Sequence, residues 1–504
     1  MRTDLFKRPM RFPVVNWSAI ITAVSFICLV AYACKLLYHF DTAWDVLAYH
    51  LAFAAKRGAI SNADTLILSS QIEQRYFGVP PLVDFVSGAL WRLTGTPQGG
   101  NLINPIAIAA LAIYLAVFNR VSSFWTILIF VAIPALHTEL ASQYVDLWTN
   151  AFFVLFLTAA YNFLFCEHPR AIHFWTACMA LVITIDSKSQ FMVIGAIGGL
   201  CFLIGILDAI FVNPHFGGDR KTVLRRYALI FVLISPLIWA WPIANSFRFG
   251  NPVYPVSVRI ANYELPGTLR PDIYLGAGPA FLRHRPNWQK WILSMLEYRS
   301  LSMRPGGYTL GQGDVEDGSE SDRMGGSALA LITVAISSLA LGISRLKYRR
   351  PAFLSMAVML ALGVVVAFVP GSFELRYFAF LEIVLLIASL SILSSLTANG
   401  DLKCAGMLVG LKAALLGAAL FVSFVTGFRY VWPDRLDVTT LVAGYRSDLL
   451  DALAHSHVLC YAKEGKAPYA ILYSKILNAD LPVDYTVITT ESPDTCPAAS
   501  FILR

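Results

Sequence analysis

Apolar residues run along this chain in long blocks, not in short alternations or sustained heptads. The blocks lie near 17–38, 102–118, 122–138, 145–165, 171–185, 190–212, 227–246, 326–343, 352–369, 376–396 and 405–427. Each is near the ~20 residues a helix needs to cross a ~30 Å hydrocarbon layer, with 171–185 on the short side. One further stretch, 81–94 (PLVDFVSGALWRLT), is too short to span comfortably and carries Asp84 and Arg92. The pattern predicts an all-α polytopic membrane protein of about 11 transmembrane helices.

Composition agrees. Of the 504 residues 57% are hydrophobic and 14% charged, with a mean hydropathy of +0.61. A soluble domain carries roughly 45–50% apolar and about 25% charged residues, so one soluble globular fold is excluded, and so is disorder. The net charge of +7 comes from 39 Lys and Arg against 32 Asp and Glu. No basic run interleaves with aromatics, which sets nucleic acid aside, and the excess reads as topology signal.

If 81–94 does not cross, the clusters Arg2/Lys7/Arg8/Arg11, Arg220/Lys221/Arg225/Arg226 and Arg345/Lys347/Arg349/Arg350 all fall inside. If it does cross, the two later clusters face out while the first stays in. The stretch is therefore read as a juxtamembrane or re-entrant helix on the outer side, with the N-terminus inside and the C-terminus outside. The first block lacks a small-residue cleavage site and reads as an uncleaved anchor.

This divides the chain into a membrane module, 1–427, and a tail, 428–504. The module includes outer loops 39–101 and 247–325, the second holding the acidic stretch GQGDVEDGSESD. In the tail an amphipathic helix (about 439–455) leads to HVLCYA. A second helix (about 467–478), VDYTVI and ASFILR follow, a strand–helix alternation that predicts a small α/β appendage. Cys460 and Cys496 both fall in this outer tail, where an oxidising compartment favours a disulfide over two free thiols.

The informative polar residues stand at the outer ends of the blocks. HFDTAWDVLAYHLAFAAKRG follows the first, and on a helix Asp41, Asp45 and Tyr49 share a face at four-residue steps. Trp44, Tyr49 and Phe53 suit such a helix to lying flat at the interface. A second acidic group, Glu139 and Asp146, follows the third block, and a carboxylate at the start of a helix is already favoured by the dipole. Parity nevertheless brings both groups to one membrane face, where paired carboxylates can serve as a general base or hold a divalent ion. FELRYF sets Glu374, Arg376 and Tyr377 at the opening of the tenth block, and the long loop offers Arg248, Arg259 and Arg270. Arg pairs with a lipid phosphate through two parallel bonds, which Lys does not mimic. His39, His50 and His137 read as separate interface residues more readily than as a ligand set.

At these residues the chain resembles a GT-C glycosyltransferase, the group that includes protein O-mannosyltransferases, lipid A aminoarabinose transferases and the oligosaccharyltransferase catalytic subunit. Those proteins carry an acid in the first outer loop, often as D-x-x-x-Y, which Asp45 and Tyr49 match. Some continue with K-P-P-L; here the stretch is Val79-Pro80-Pro81-Leu82, without the Lys. Asp146 matches a second acid in the next outer loop, and N-P-V-Y-P (251–255) and Arg376-Tyr377 resemble segments of bacterial members.

The resemblance implies inverting transfer of a sugar from a polyprenyl-phosphate donor to a glycolipid, glycan or protein acceptor at the periplasmic face of a bacterial inner membrane. A lipid-borne donor needs no nucleotide-binding domain, and no such motif occurs. On this reading Asp45 is the base, with Asp41 the alternative, and Asp146 its partner. Arg376 meets the lipid phosphate, with Arg248, Tyr49, Tyr377 and Tyr254 beside the substrate. Metal use varies across the family and no ion is assigned. Two other readings remain: a transporter or flippase for lipid-linked saccharide, and a polymerase or ligase moving a whole glycan.

Overall fold

The structure is a computed structural model. It describes residues 17–43, 45–165, 170–211, 218–260, 262–268, 285–295, 329–345, 350–369, 371–425, 428, 431–432, 438–462, 470–479, 484–490 and 501–503. The N-terminal basic cluster, Trp44, Arg270, the acidic stretch 311–322 and Cys496 lie outside them.

Helices occupy the described parts of all the apolar blocks. The first is α1 (Trp17–Leu36). The segment after it supplies a π turn (Val46–His50), α2 (Leu51–Arg57), α3 (Ser70–Gly78) and α4 (Leu82–Thr94). Next come α5 (Ile103–Phe118), α6 (Ser123–Ala132), α7 (Pro134–His137), α8 (Val145–Phe165), α9 (Ala171–Ile185) and α10 (Ser189–Phe211). They are followed by α11 (Gly218–Ile238), α12 (Ala240–Phe249), the hairpin β1 (Val258–Ile260) and β2 (Tyr263–Leu265), and α13 (Asn287–Met295). The last apolar helices are α14 (Leu329–Arg345), α15 (Arg350–Phe368), α16 (Phe380–Ala398) and α17 (Leu402–Val425).

Among the described residues, 5 helical stretches are long and apolar enough to cross a membrane unaided, or 6 if a bent pair counts as one. That pair is α11–α12, bent by 43°; Pro242 has no N–H to donate and its ring crowds the carbonyl of Ile238. Pro134 breaks the block 122–138, because the residue before a proline is driven out of the α region and Ile133 is extended (φ −87°, ψ 112°). The chain then folds through α7 into a buried turn instead of continuing as one rod. Helix α8 is the axis of the bundle, buried over most of its length and packed against α5, α9, α10 and α16. Phe153, Phe156, Phe163, Phe174 and Phe380 fill the space around it.

A second core lies at one end of the bundle. It joins Phe40, Val46, Leu47, Leu51, Phe53 and Trp91 to Val442, Ile471, Leu472 and Leu477. Phe53 and the rest of Leu51–Ala55 are buried, so α2 is covered by protein and is not the flat interfacial helix expected from its aromatics. The C-terminal segment contains α18 (Val438–His455) and a parallel sheet of β3 (Val458–Ala462), β4 (Thr486–Thr490) and β5 (Phe501–Leu503) in the order β4–β3–β5. The helix expected at 467–478 is instead a 3₁₀ turn, Ala470–Tyr473, followed by further turns over its described part. Asn478 Nδ2 donates to the carbonyls of Leu472 (2.8 Å) and Ser474 (3.0 Å), so side chains take acceptors that a helix would use. Cys460, in β3, is disulfide-bonded.

Candidate active site

Asparagine side chains assemble the polar end of the bundle. Asn101 Nδ2 donates to the carbonyls of Leu36 (3.0 Å) and His39 (2.6 Å), tying the end of α1 to the approach to α5. Asn104 Nδ2 donates to the carbonyls of Glu139 (2.9 Å) and Ser142 (2.8 Å), closing the turn that Pro134 begins. Asn150, on α8, donates to the carbonyl of Arg376 (2.7 Å) and accepts from the Phe380 N–H (2.8 Å). The 3₁₀ turn Leu375–Phe378 is thereby fixed against the start of α8. A buried carbonyl or N–H left without a partner costs about 1–3 kcal/mol, a loss these amides help to avert.

Arg376 lies at the centre of what they hold. Its Nη2 is 3.7 Å from Asp45 Oδ2, its Nη1 3.9 Å from Glu139 Oε1 and its Nε 3.8 Å from Asp146 Oδ2. Glu374 Oε2 takes the close contact from Nε at 3.1 Å, and Nη2 donates to the Tyr377 hydroxyl at 3.1 Å. The rings of Tyr144 and Tyr377 face the guanidinium, with centroids 4.8 and 4.9 Å from Cζ. Lys188, between α9 and α10, pairs with Asp146 Oδ1 and stands 3.9 Å from the Tyr377 ring centroid. Four carboxylates thus surround two cations.

Sequence spacing matched two aspartates across more than a hundred positions, and the structure brings Asp45, Asp146, Arg376 and Tyr377 together. Tyr49 adjoins them: burial first and then the Asp45 carboxylate hold its phenol above the usual range. Asp45 directly precedes the π turn, and Tyr49 is one turn on. Asp41 has a different setting. Residues 41–43 are not helical, so Asp41 shares no helix face with Asp45. Its Oδ1 accepts from the Ala43 N–H (2.9 Å), and its Oδ2 accepts from the Ser142 hydroxyl and the Gln143 N–H (2.9 Å). Asp41 joins the first outer segment to the turn before α8.

Arg248 and Tyr254 belong to another group of contacts. Arg248 is exposed, over the Trp241 ring. Tyr254 is buried and stacks on Phe249 with centroids 3.9 Å apart, against Gly78, where any Cβ would meet its ring at 2.3 Å. Asn245 Nδ2 donates to the carbonyls of Gly78 (2.9 Å) and Tyr254 (3.1 Å), so this group fastens α12 to the end of α3.

Burial shapes the protonation of two members. It pushes Glu139 up to about 7, against the opposing pull of Arg376 and Lys188. It draws Lys188 down to about 7, an effect Arg376 reinforces. Glu139 Oε2 accepts from the Leu147 N–H at 2.8 Å, while Oε1 has no hydrogen-bond partner and faces Arg376. Asp45 is the more open carboxylate, its side chain 17% exposed against 2% for Asp146. Lys188 and Arg376 face both oxygens of Asp146, so a divalent ion bridging the two aspartates would have to displace one of them.

Sequence reasoning noted Lys188 only as a charge near a span end, in weighing a transporter, and passed over Tyr144 and Asn150. The signal available for Lys188 was parity, because the connection 186–188 falls on the same side as Asp146. For Asn150 there was none, since an amide inside an apolar block has many structural uses.

Among solved structures, the chain is similar to ArnT from Cupriavidus metallidurans bound to undecaprenyl phosphate. That match has a TM-score of 0.49 at 12% sequence identity, covering 94% of this chain and 90% of that one. It is also similar to ArnT from Cupriavidus metallidurans in the apo state, with a TM-score of 0.49 at 11% identity and coverage of 95% and 86%. No protein-family model matches the sequence, and no curated protein does.

Proposed function

We propose that this protein is an inverting membrane glycosyltransferase that moves a sugar from a polyprenyl-phosphate carrier to an acceptor hydroxyl at the periplasmic face. The observation that carries the reading is the meeting of Asp45 and Asp146, from separate elements, at the guanidinium of Arg376. It is joined by the resemblance of D-x-x-x-Y and the later acid and Arg-Tyr pair to GT-C enzymes.

In the proposed step Asp45 accepts the proton of the acceptor hydroxyl from within about 2.6–3.2 Å. The acceptor oxygen bonds to the anomeric carbon as the bond from that carbon to the phosphate oxygen breaks, and the electron pair leaves on the phosphate. Arg376 meets the charge that develops there. Its 3.7–3.9 Å separations from Asp45, Glu139 and Asp146 are longer than direct hydrogen bonds, so these carboxylates do not saturate its donors. Asp146, whose two oxygens face Lys188 and Arg376, is assigned to positioning.

The same reading places eleven spans in the membrane, with the basic clusters 220–226 and 345–350 inside and residues 428–504 as a periplasmic unit closed by Cys460 and Cys496. Asp45→Asn tests the chemistry. Transfer from a polyprenyl-phosphate sugar in detergent should fall by about 10²–10⁴-fold with insertion intact. Near-normal turnover in that variant would take Asp45 out of the mechanism. Arg376→Lys should weaken carrier binding roughly tenfold or more, as a charge-assisted forked contact is lost; unaltered binding would assign Arg376 to internal pairing alone.

A further inference from the structure

We infer that the C-terminal segment is a buttress for the turn that carries Asp45, with Ile471 and Leu472 as its positioning residues. The inference rests on the reading of Asp45 as the base.

In Val46–His50 the Leu51 N–H reaches back to the Val46 carbonyl, five residues earlier, instead of the usual four. Such wide turns are rare and occur mostly as single turns at functional sites. Asp45 faces Arg376 on one side of the segment. On the other side Val46, Leu47 and Leu51 are buried, and the core that buries them is completed by Val442, Ile471, Leu472 and Leu477. The 3₁₀ turn Ala470–Tyr473 packs directly on the wide turn.

The supporting turn is itself held rigidly. Besides the two bonds from Asn478, the Ser474 hydroxyl donates to the Ile471 carbonyl at 2.7 Å. Tyr485, at the start of β4, donates its hydroxyl to the Tyr473 carbonyl at 2.9 Å. The parallel sheet therefore reaches Asp45 through two small turns and the shared apolar contact. Loss of side-chain volume at Ile471 and Leu472 would open a cavity under Val46 and Leu47, releasing the wide turn to a conformation in which Asp45 no longer faces Arg376.

The test is amide hydrogen exchange on the full-length protein in detergent, comparing wild type with Ile471→Ala/Leu472→Ala. Exchange over residues 45–57 should quicken by about tenfold or more while α8 keeps its wild-type protection. Ile471→Val/Leu472→Met should restore protection, because the volume is nearly conserved. Should the double alanine variant not fold, Leu472→Ala alone carries the same comparison. Wild-type protection of 45–57 in the alanine variant would overturn the buttress, and so would an equal loss of protection in α8, since the effect would then be general. Activity of Asp45→Asn addresses the base alone and leaves this comparison intact, so the two readings fail separately.

Discussion

Glu139 and Lys188 give the site a pH signature of stability as well as of chemistry. Glu139 loses its proton near 4.5 when unfolded and near about 7 when folded. Between those values the folded state holds the extra proton, so stability falls as pH rises through that window. Lys188 acts in the opposite sense between about 7 and 10.5, where the unfolded chain holds the proton and stability rises with pH. Thermal melts in detergent should show a shallower fall between pH 5 and 7 in Glu139→Gln and a shallower rise above pH 7 in Lys188→Met. A wild-type slope between pH 5 and 7 in Glu139→Gln would refute the assignment. At this scale the sequence made Asp45, Asp146 and Arg376 legible, because charges at the ends of apolar blocks stand out and parity puts them on one side. It did not make Asp41 legible as a linker. That role depends on the Ser142 hydroxyl and the Gln143 N–H arriving from a turn whose path is set far away at Ile133 and Pro134.

Elements position these residues through close backbone approaches. Where α2 meets α4, a Cβ on Gly88 would lie 2.3 Å from the Ala54 carbonyl oxygen, and one on Gly58 would lie 2.7 Å from the Gly88 backbone. Gly88→Ala should therefore force the helices apart, cost about 1–3 kcal/mol and lower activity by moving the segment that carries Asp45. A melting temperature equal to wild type would show that the contact can relax. At the same end of α2, the Arg57 guanidinium pairs with Asp84 and donates to the Tyr76 carbonyl at 2.6 Å, joining α2, α3 and α4. The amphipathic helix at 438–455 was legible because its apolar spacing is sustained over several turns. The segment 467–478 has similar spacing, but Asn478 and Ser474 bind local carbonyls and curl it. The block 122–138 looked continuous by hydropathy, which averages over the single proline that divides it.

For the whole molecule, the apolar blocks foretold where helices lie, and the asymmetry of basic residues implies an orientation that labelling can test. A cysteine placed at exposed Ser447 in α18 should react with a membrane-impermeant thiol reagent from the periplasmic side, and one at exposed Asn399 should not. The reverse pattern would invert the topology proposed above. What the sequence did not disclose is that the first outer segment and the last residues form one core, because each carries an ordinary amphipathic pattern that names no partner. That shared core has a consequence for biosynthesis. Val46 and Ile471 stand more than four hundred positions apart, and so long a loop closes only once both have been synthesised. On the reading proposed above, a chain halted after α17 would hold every cation and carboxylate gathered at Arg376 and yet lack the apolar packing behind Asp45.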